Sequence, residues 1–113
     1  MKHVVLAHLK PDSGTAIRAL RLKHLEYIEM HKASILAGGP SISASGVPLT
    51  MILFTQFTDA AAAASFMAKE PYNASGMVFE RVEIFAWSQV LPEQAEGALA
   101  SEIEKERQAS PNA

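Results

Sequence analysis

Apolar residues concentrate in four short runs that are rich in β-branched and aromatic side chains, a composition typical of β-strands. The runs are HVVLAHL at 3–9, SILAGGP at 34–40, VPLTMILFTQF at 47–57 and MVFERVEIFAW at 77–87. The two glycines and the proline that close the second run predict a turn, to which another backbone or a ligand can come close. The pattern therefore predicts four strands.

A first helix is predicted from about Gly14 to Lys32, with Asp12 or Ser13 as its cap. Residues three or four positions apart share one face of a helix. Here that face is apolar except for two histidines, and it consists of Ile17, Leu20, His24, Ile28 and His31. The first of these histidines is a titratable ring where leucine would be the ordinary residue.

A second helix is predicted over TDAAAAASFMAKE at 58–70, with Thr58 or Asp59 as its cap and Pro71 as its stop. The complete order of elements is βαββαβ, a split βαβ arrangement. This order predicts an α+β fold in which two helices cover one face of a four-stranded, largely antiparallel sheet.

The last strand has two chemically different faces. The face that suits the core consists of Val78, Val82, Ile84 and Ala86. The opposite face consists of Phe79, Arg81, Glu83, Phe85 and Trp87. Because an uncovered sheet face with such aromatic residues would be a large apolar patch on a monomer, we expect a homodimer whose two open sheet faces meet.

The composition limits the classes of function. A chain of 113 residues with 49% hydrophobic residues is the size of one folded domain, and the absence of cysteine excludes disulfides and thiolate chemistry. The net charge is −2 and the basic residues are scattered, so nucleic acid is not an expected partner. No apolar run approaches a membrane span or a signal peptide, so we expect a cytoplasmic protein that does not bind membranes.

The composition changes after the segment SQVLP. We predict a domain over residues 1–91 and an acidic, alanine-rich tail over residues 92–113. The tail has almost no large apolar residues. A frayed helix is predicted over about 93–107, and the last few residues are expected to be disordered.

His24 is the main candidate for acid–base chemistry near neutral pH. The alternative is a histidine with a structural role, and in either case a buried ring needs a hydrogen-bond partner. Glu70 is a candidate partner, because it ends the second helix before Pro71, where the helix dipole disfavours a carboxylate unless a cation or an imidazole N–H lies nearby. A glutamate that points into water is equally compatible with the sequence.

Other polar residues are weaker candidates. Arg21 lies one turn before His24 and either binds an anionic substrate group or is a solvated helix residue. Tyr72 either donates a hydrogen bond into a site or covers the turn. The sequence has no phosphate loop and no cofactor motif, so no cofactor is expected. No metal site is expected either, because His24 and His31 are seven residues apart instead of four.

Three short motifs together resemble the YciI-like, or YCII-related, family: RLKH at 21–24, LAGGP at 36–40 and EPY at 70–72. The family carries an Arg and a His on the first helix, GGP after the second strand and DPY after the second helix. The resemblance covers about residues 1–91. It implies a ferredoxin-like fold that pairs into a dimeric α+β barrel, and enzymes with a His–Asp pair in a pocket. The activity associated with the family is elimination of HCl from a chlorinated hydroxyquinol-type ring.

By this resemblance, His24 and Glu70 correspond to the histidine and the aspartate of the family. The surrounding motif is matched by Arg21, Gly39, Pro40 and Tyr72. Glutamate is one methylene longer than aspartate, so the pair needs about one extra ångström of room. The loop SISASG after GGP has no carboxylate, where the family often has acidic residues, which implies a different substrate or a degenerate site.

Two hypotheses follow. In the first, the protein is a cofactor-independent lyase or isomerase that acts on a small hydroxylated aromatic compound or a related acid. His24 would move a proton, Glu70 would orient the ring, and Arg21 would hold an anionic oxygen. Backbone N–H groups near Gly38 and Gly39 would stabilise a developing oxyanion.

In the second hypothesis, the protein is a non-catalytic dimeric ligand-binding or accessory domain, and His24 and Glu70 form a structural pair. The surroundings of the pair distinguish the two hypotheses. A catalytic pair is expected to face an open pocket of several hundred cubic ångströms, whereas a structural pair is expected to be closed over by side chains.

Overall fold

The computed structural model describes residues 1–109, so the disorder expected at the end of the tail falls largely on residues outside the described part. The elements are β1 (Lys2–Leu9), α1 (Gly14–His31), a 3₁₀ turn (Lys32–Ser34), β2 (Ile35–Ile42), β3 (Pro48–Gln56), α2 (Ala60–Lys69), α3 (Pro71–Ser75), β4 (Phe79–Ala86) and α4 (Ala98–Ala109). The predicted order βαββαβ is confirmed; α3 was not predicted, and α4 lies where a helix was predicted in the tail.

The four strands form one sheet in the order β2-β3-β1-β4, and all neighbouring strands are antiparallel. Alternate residues of the central strands, such as Val5 and Leu53, point to one face and are buried there. Phe66 and Met67 of α2 and the inner side of α1 pack against that face. Among residues 1–109, no helix covers the opposite face. The fold is therefore the expected α+β arrangement of two helices on one side of an antiparallel sheet.

The helix starts differ in how they are capped. Asp59 caps α2, because its carboxylate accepts a hydrogen bond from the Ala62 N–H at 2.8 Å. Ser13 occupies the cap position of α1, but its side chain makes no capping hydrogen bond. In the tail, α4 begins at Ala98, later than predicted, directly after Gly97 with its left-handed backbone at φ 78°. Among the described helices, none is long and apolar enough to cross a membrane.

The predicted turn at the Gly-Gly-Pro segment is wrong. Strand β2 continues through Gly38, Gly39 and Pro40 to Ile42, and these residues pair with Leu53, Ile52, Met51 and Pro48 of β3. The chain reverses only in the following loop, where Gly46 has a φ of 83°. A proline is tolerated within this strand because β2 lies at the edge of the sheet, where one side of the backbone has no strand partner.

The two glycines of β2 make a matched pair for substitution. A Cβ atom on Gly38 would lie 2.5 Å from Cδ2 of the buried Leu53, whereas a Cβ atom on Gly39 would meet nothing within 4 Å. We expect Gly38→Ala to lower the free energy of unfolding by about 1–3 kcal/mol relative to Gly39→Ala, because Leu53 must leave its rotamer. Urea denaturation of the two variants measures the difference. Equal stabilities would contradict the close packing of β2 on Leu53.

The predicted orientation of Phe79 is also wrong. Its side chain is 8% exposed and belongs to the core. A β-bulge explains the difference, because Leu9 pairs with Phe79 while the preceding His8 pairs with Arg81, which leaves Glu80 as an extra residue. An extra residue reverses the alternation of faces, so strict alternation from the end of β4 assigns Phe79 to the wrong side.

Candidate active site

Glu70 stands at the junction of two helices. It follows the last residue of α2 and immediately precedes α3, and its own backbone is extended, with φ −62° and ψ 128°. Its Oε1 accepts a hydrogen bond from the Tyr72 N–H at 3.2 Å, and its Oε2 accepts one from the Asn73 N–H at 3.1 Å. The carboxylate therefore faces the positive N-terminal end of α3, which offsets its unfavourable place at the end of α2.

His24 reaches this carboxylate from α1. Its Nδ1 lies 2.6 Å from Oε1 of Glu70, and the Glu70 side chain is completely buried. Both oxygens of Glu70 accept hydrogen bonds from backbone N–H groups. Because a carboxylate only accepts hydrogen bonds, the hydrogen of the neutral imidazole belongs on Nδ1, which donates to Oε1. In the neutral ring, Nε2 is then a hydrogen-bond acceptor and a potential base. Glu70, which is one methylene longer than the aspartate of the family motif, therefore reaches His24 by a short hydrogen bond.

Tyr72 holds the imidazole ring from one side. The two rings stack with centroids 4.0 Å apart and an angle of 10° between their planes. The Tyr72 hydroxyl lies 3.5 Å from the Ile17 carbonyl oxygen, to which it donates a long hydrogen bond. Burial raises the pKa of Tyr72, Arg21 lowers it, and the charge of Glu70 raises it further, with a net upward shift. The Tyr72 side chain is therefore an uncharged stacking partner of His24 near neutral pH.

A cavity of about 390 Å³ opens to solvent in front of this group. Its wall is mostly apolar and consists of Leu9, Ile17, Arg21, His24, Leu25, Pro40, Pro48, Met51, Tyr72, Val78 and Phe79. Nε2 of His24 makes no hydrogen bond to any residue of the described range 1–109, and it is not fully buried. Arg21 forms no ion pair within the same range. The cavity thus offers one unoccupied ring nitrogen and one cation in apolar surroundings.

Most of the site residues predicted from the sequence come together in this cavity. His24, Arg21, Pro40 and Tyr72 line it, and Glu70 lies behind His24. Gly38 and Gly39 lie outside its wall, so the structure does not place their N–H groups as an oxyanion site for this cavity.

Several residues of the site were missed by the sequence interpretation. Asn73 holds Glu70 through its backbone N–H and is anchored by a hydrogen bond from its Nδ2 to the Met67 carbonyl. Phe79 was assigned to the wrong face. Pro48 and Met51 are separated from His24 in sequence by a whole strand. A proline before a short polar segment was the only local signal for α3, because proline is favoured at the first position of a helix.

The other histidines lie elsewhere. His31 donates from Nδ1 to the Tyr27 carbonyl at 2.9 Å, one turn earlier in α1. His8 lies on the open sheet face, with its Nε2 at 2.7 Å from Oε1 of Glu83. This hydrogen bond is the main cause that lowers the pKa of Glu83. No group of three or more His, Asp or Glu side chains within residues 1–109 could hold a metal ion.

Solved structures with a similar fold include two of particular interest. The first is a 5-chloro-2-hydroxyhydroquinone dehydrochlorinase from Burkholderia phenoliruptrix in complex with 2,5-dihydroxybenzoquinone. It aligns with a TM-score of 0.71 and 22% sequence identity over 79% of this chain and 95% of that chain. The second is a proposed antibiotic biosynthesis monooxygenase from Bacteroides thetaiotaomicron, with a TM-score of 0.52 and 14% identity over 84% of this chain and 93% of that chain. At these identities, the similarity demonstrates the fold alone.

The family assignment rests on the sequence. None of the curated proteins matches the chain. Residues 1–88 match the YCII-related domain, which covers more than three quarters of the 113 residues. The match contains both helices that carry the histidine and the carboxylate, and it ends just after β4. The chain therefore belongs to the YCII-related domain family.

Proposed function

We propose that this protein is a cofactor-independent enzyme in which His24 transfers a proton to or from a small hydroxylated aromatic compound or a related acid. The observation that carries the proposal is the state of the imidazole ring. Nδ1 is held by a fully buried carboxylate, while Nε2 has no hydrogen-bond partner within residues 1–109 and the ring lines an apolar cavity that is open to solvent. A structural pair is expected to be closed over by side chains, whereas this ring borders an open cavity.

Each group in the cavity has a role in this reaction. Neutral His24 accepts a substrate proton on Nε2, and Glu70 holds the ring in that tautomer and stabilises the imidazolium that forms. Arg21 balances the negative charge of a phenolate or carboxylate oxygen on the substrate. In a dehydrochlorination of a chlorinated hydroxyquinol, a hydroxyl proton first moves to the carbon that bears chlorine, so that the ring takes a keto form. Chloride then leaves with the C–Cl electron pair while a second O–H bond breaks. The O–H electrons form a C=O bond, the ring π electrons form the new C=C bond, and the released proton passes through His24 to water.

The size and lining of the cavity support a ring-shaped substrate. A volume of about 390 Å³ lies at the lower end of the range for small-molecule sites, and most of the wall is apolar. The dehydrochlorinase of similar fold was solved with a dihydroxylated quinone ring. A compound of that kind combines a flat apolar ring with acidic oxygen atoms, for which Tyr72 and Arg21 offer a ring surface and a cation.

A substrate screen tests the proposal. Purified protein, dialysed against a chelator and without added cofactor, is incubated with chlorinated and unchlorinated hydroxyquinols and hydroxybenzoates. Chloride release and ultraviolet spectra report turnover, and 2,5-dihydroxybenzoquinone serves as a binding probe. We expect saturable turnover of at least one compound and competition by the quinone. Turnover that requires an added redox cofactor would contradict the proposal.

Arg21 is expected to contribute to substrate affinity. Loss of one charge-assisted hydrogen bond costs about 1.5–3 kcal/mol, so Arg21→Gln should raise KM by roughly 10–100-fold with a smaller change in kcat. Arg18→Gln is the matched control, because Arg18 lies one turn away on α1, contacts Thr15 and does not line the cavity. An equal effect of both substitutions on KM would show that Arg21 acts only through the overall charge.

A second candidate function is a non-catalytic ligand-binding or accessory domain. The observation that favours it is the structural role of Glu70, which caps α3 while it also binds His24. In that case the pair maintains the junction of α2 and α3, and the cavity binds a ligand without changing it. This hypothesis predicts that His24→Ala lowers the melting temperature and leaves ligand affinity unchanged.

The uncovered face of the sheet supports the expected homodimer. Phe85 is 50% exposed on this face, and the His8–Glu83 pair lies beside it. Exposed apolar residues around a small polar group are typical of subunit interfaces. We therefore propose that two copies associate through their open sheet faces, which light scattering during size-exclusion chromatography can test.

A further inference from the structure

The helix α4 lies outside the segment that matches the family, and its surface is unpartnered. Every residue of α4 from Leu99 onward is exposed. Leu99 and Ile103 are one turn apart on the same side of the helix, and they are the only large apolar residues in α4. Glu102 and Glu106 lie on one side of this stripe, and Arg107 lies on the other. Glu102 forms an ion pair with Lys105 at 3.0 Å, whereas Glu106 forms none within residues 1–109.

A complementary cleft lies on the open face of the sheet. It has a volume of about 460 Å³, and its apolar wall is formed mainly by Leu36, Phe54, Trp87 and Leu91. Trp87 packs against Phe54 with ring centroids 4.7 Å apart, while Leu36 is 46% exposed and Leu91 is 60% exposed. The cleft is therefore a groove with exposed aliphatic rims and an aromatic floor.

The edge of this cleft carries a cation. Lys2 Nζ donates to the side-chain carbonyl oxygens of Gln89 and Gln94, at 3.0 and 2.6 Å. Gln89 itself lines the cleft. Within residues 1–109, Lys2 makes no ion pair with a carboxylate. A positive charge held by two neutral amides beside an apolar groove suits a helix whose apolar stripe has the unpaired Glu106 on one flank.

We propose that α4 of one copy of this chain docks its Leu99–Ile103 stripe into the cleft of a second copy. Within one chain the stripe of α4 does not fill the cleft, because Leu99 and Ile103 are exposed and no residue of α4 lines the cleft. Leu91 in the cleft wall is only seven residues before the start of α4, a short connection for folding the helix back onto it. A two-fold dimer would place each helix in the cleft of the other copy. This docking rests on the proposed sheet-face dimer and adds a second contact between the same two copies.

Disulfide trapping tests this contact directly, because the natural chain has no cysteine. The variant Leu36→Cys/Ile103→Cys places one thiol on the rim of the cleft and one in the helix stripe. Under mild oxidation we expect a disulfide-linked dimer on non-reducing gels. The matched control is Leu36→Cys/Ser101→Cys, because Ser101 lies on the opposite side of α4; it should form at least about tenfold less linked dimer.

The oligomeric state of the unmodified chain separates this inference from the proposed dimer. A dimer by light scattering, with equal linking in both double-cysteine variants, would overturn the docking of α4 and leave the sheet-face dimer standing. An intramolecular disulfide would overturn the docking as well, because α4 would then occupy the cleft of its own chain. A monomer at all concentrations would overturn both. Ile103→Glu should raise the dimer dissociation constant at least about tenfold, and an unchanged constant relative to Ser101→Glu would also overturn the docking.

Discussion

His24→Asn is expected to lower kcat/KM by about 10²–10⁴-fold while the protein remains folded, because the variant loses the general base. The substitution distinguishes the roles of the two ring nitrogen atoms. Asparagine keeps an N–H donor that can point to Oε1 of Glu70, in place of the Nδ1 contact at 2.6 Å. It has no group at the position of Nε2, the nitrogen that is not bonded to Glu70. A catalytic role and a structural role of His24 therefore predict different results.

The measurements are steady-state kinetics with a substrate from the screen and the thermal unfolding midpoint of the same preparation. His31→Asn is the control, because His31 lies on the same helix but bonds to the Tyr27 carbonyl and does not line the cavity. We expect wild-type kcat/KM for this control. Undiminished turnover by His24→Asn would show that another group moves the proton, and the pair would then be structural.

Glu70→Ala is expected to lower the free energy of unfolding by about 3–5 kcal/mol, because each hydrogen-bond donor left without its acceptor costs about 1–3 kcal/mol. The Glu70 side chain is completely buried and accepts hydrogen bonds from the Tyr72 N–H, the Asn73 N–H and His24. Alanine would leave all three donors without their partner and would also remove the cap of α3. For a domain of this size class, the loss corresponds to a fall in Tm of more than roughly 10 °C.

Chemical and thermal denaturation measure this loss of stability, and two further variants serve as comparisons. Glu26→Ala removes an exposed glutamate of α1 and should change stability by less than about 0.5 kcal/mol. Glu70→Asp should keep the cap of α3, because aspartate is favoured at that position, but should weaken the contact with His24. A Glu70→Ala protein as stable as Glu26→Ala would mean that water replaces the carboxylate and that the junction is not a buried site.

The local pattern of the chain was sufficient to predict the order of elements. Runs rich in β-branched and aromatic residues identified the strands, and the stripe from Ile17 to His31 identified α1, because these preferences follow from backbone geometry. Thr58 and Asp59 were both candidate caps of α2, and the structure shows Asp59 in that role. The proximity of His24 and Glu70 was proposed from a helix end and a motif resemblance, and the distance of 2.6 Å depends on how α1 crosses α2 and α3.

Contacts between distant residues could not be read from local patterns. The run of two glycines and a proline was typical of a turn, but β2 continues through it because Gly38 packs against Leu53 and Pro40 lies on an edge strand. Similarly, Phe79 faces the core because a bulge forms where β4 pairs with β1. Both outcomes arise from pairing with a neighbouring strand, which can outweigh local conformational preference.

The sequence by itself determined the α+β architecture and the membership in the YCII-related domain family, and it singled out His24 as the candidate for acid–base chemistry. Only the tertiary structure decided what surrounds that histidine. It supplied α3 as the partner of Glu70, stacked Tyr72 on the ring and placed His24 in the wall of the cavity. The physical reason is one of range. Helix and strand periods depend on neighbours a few residues apart, whereas a cavity depends on residues that meet only after the chain has packed.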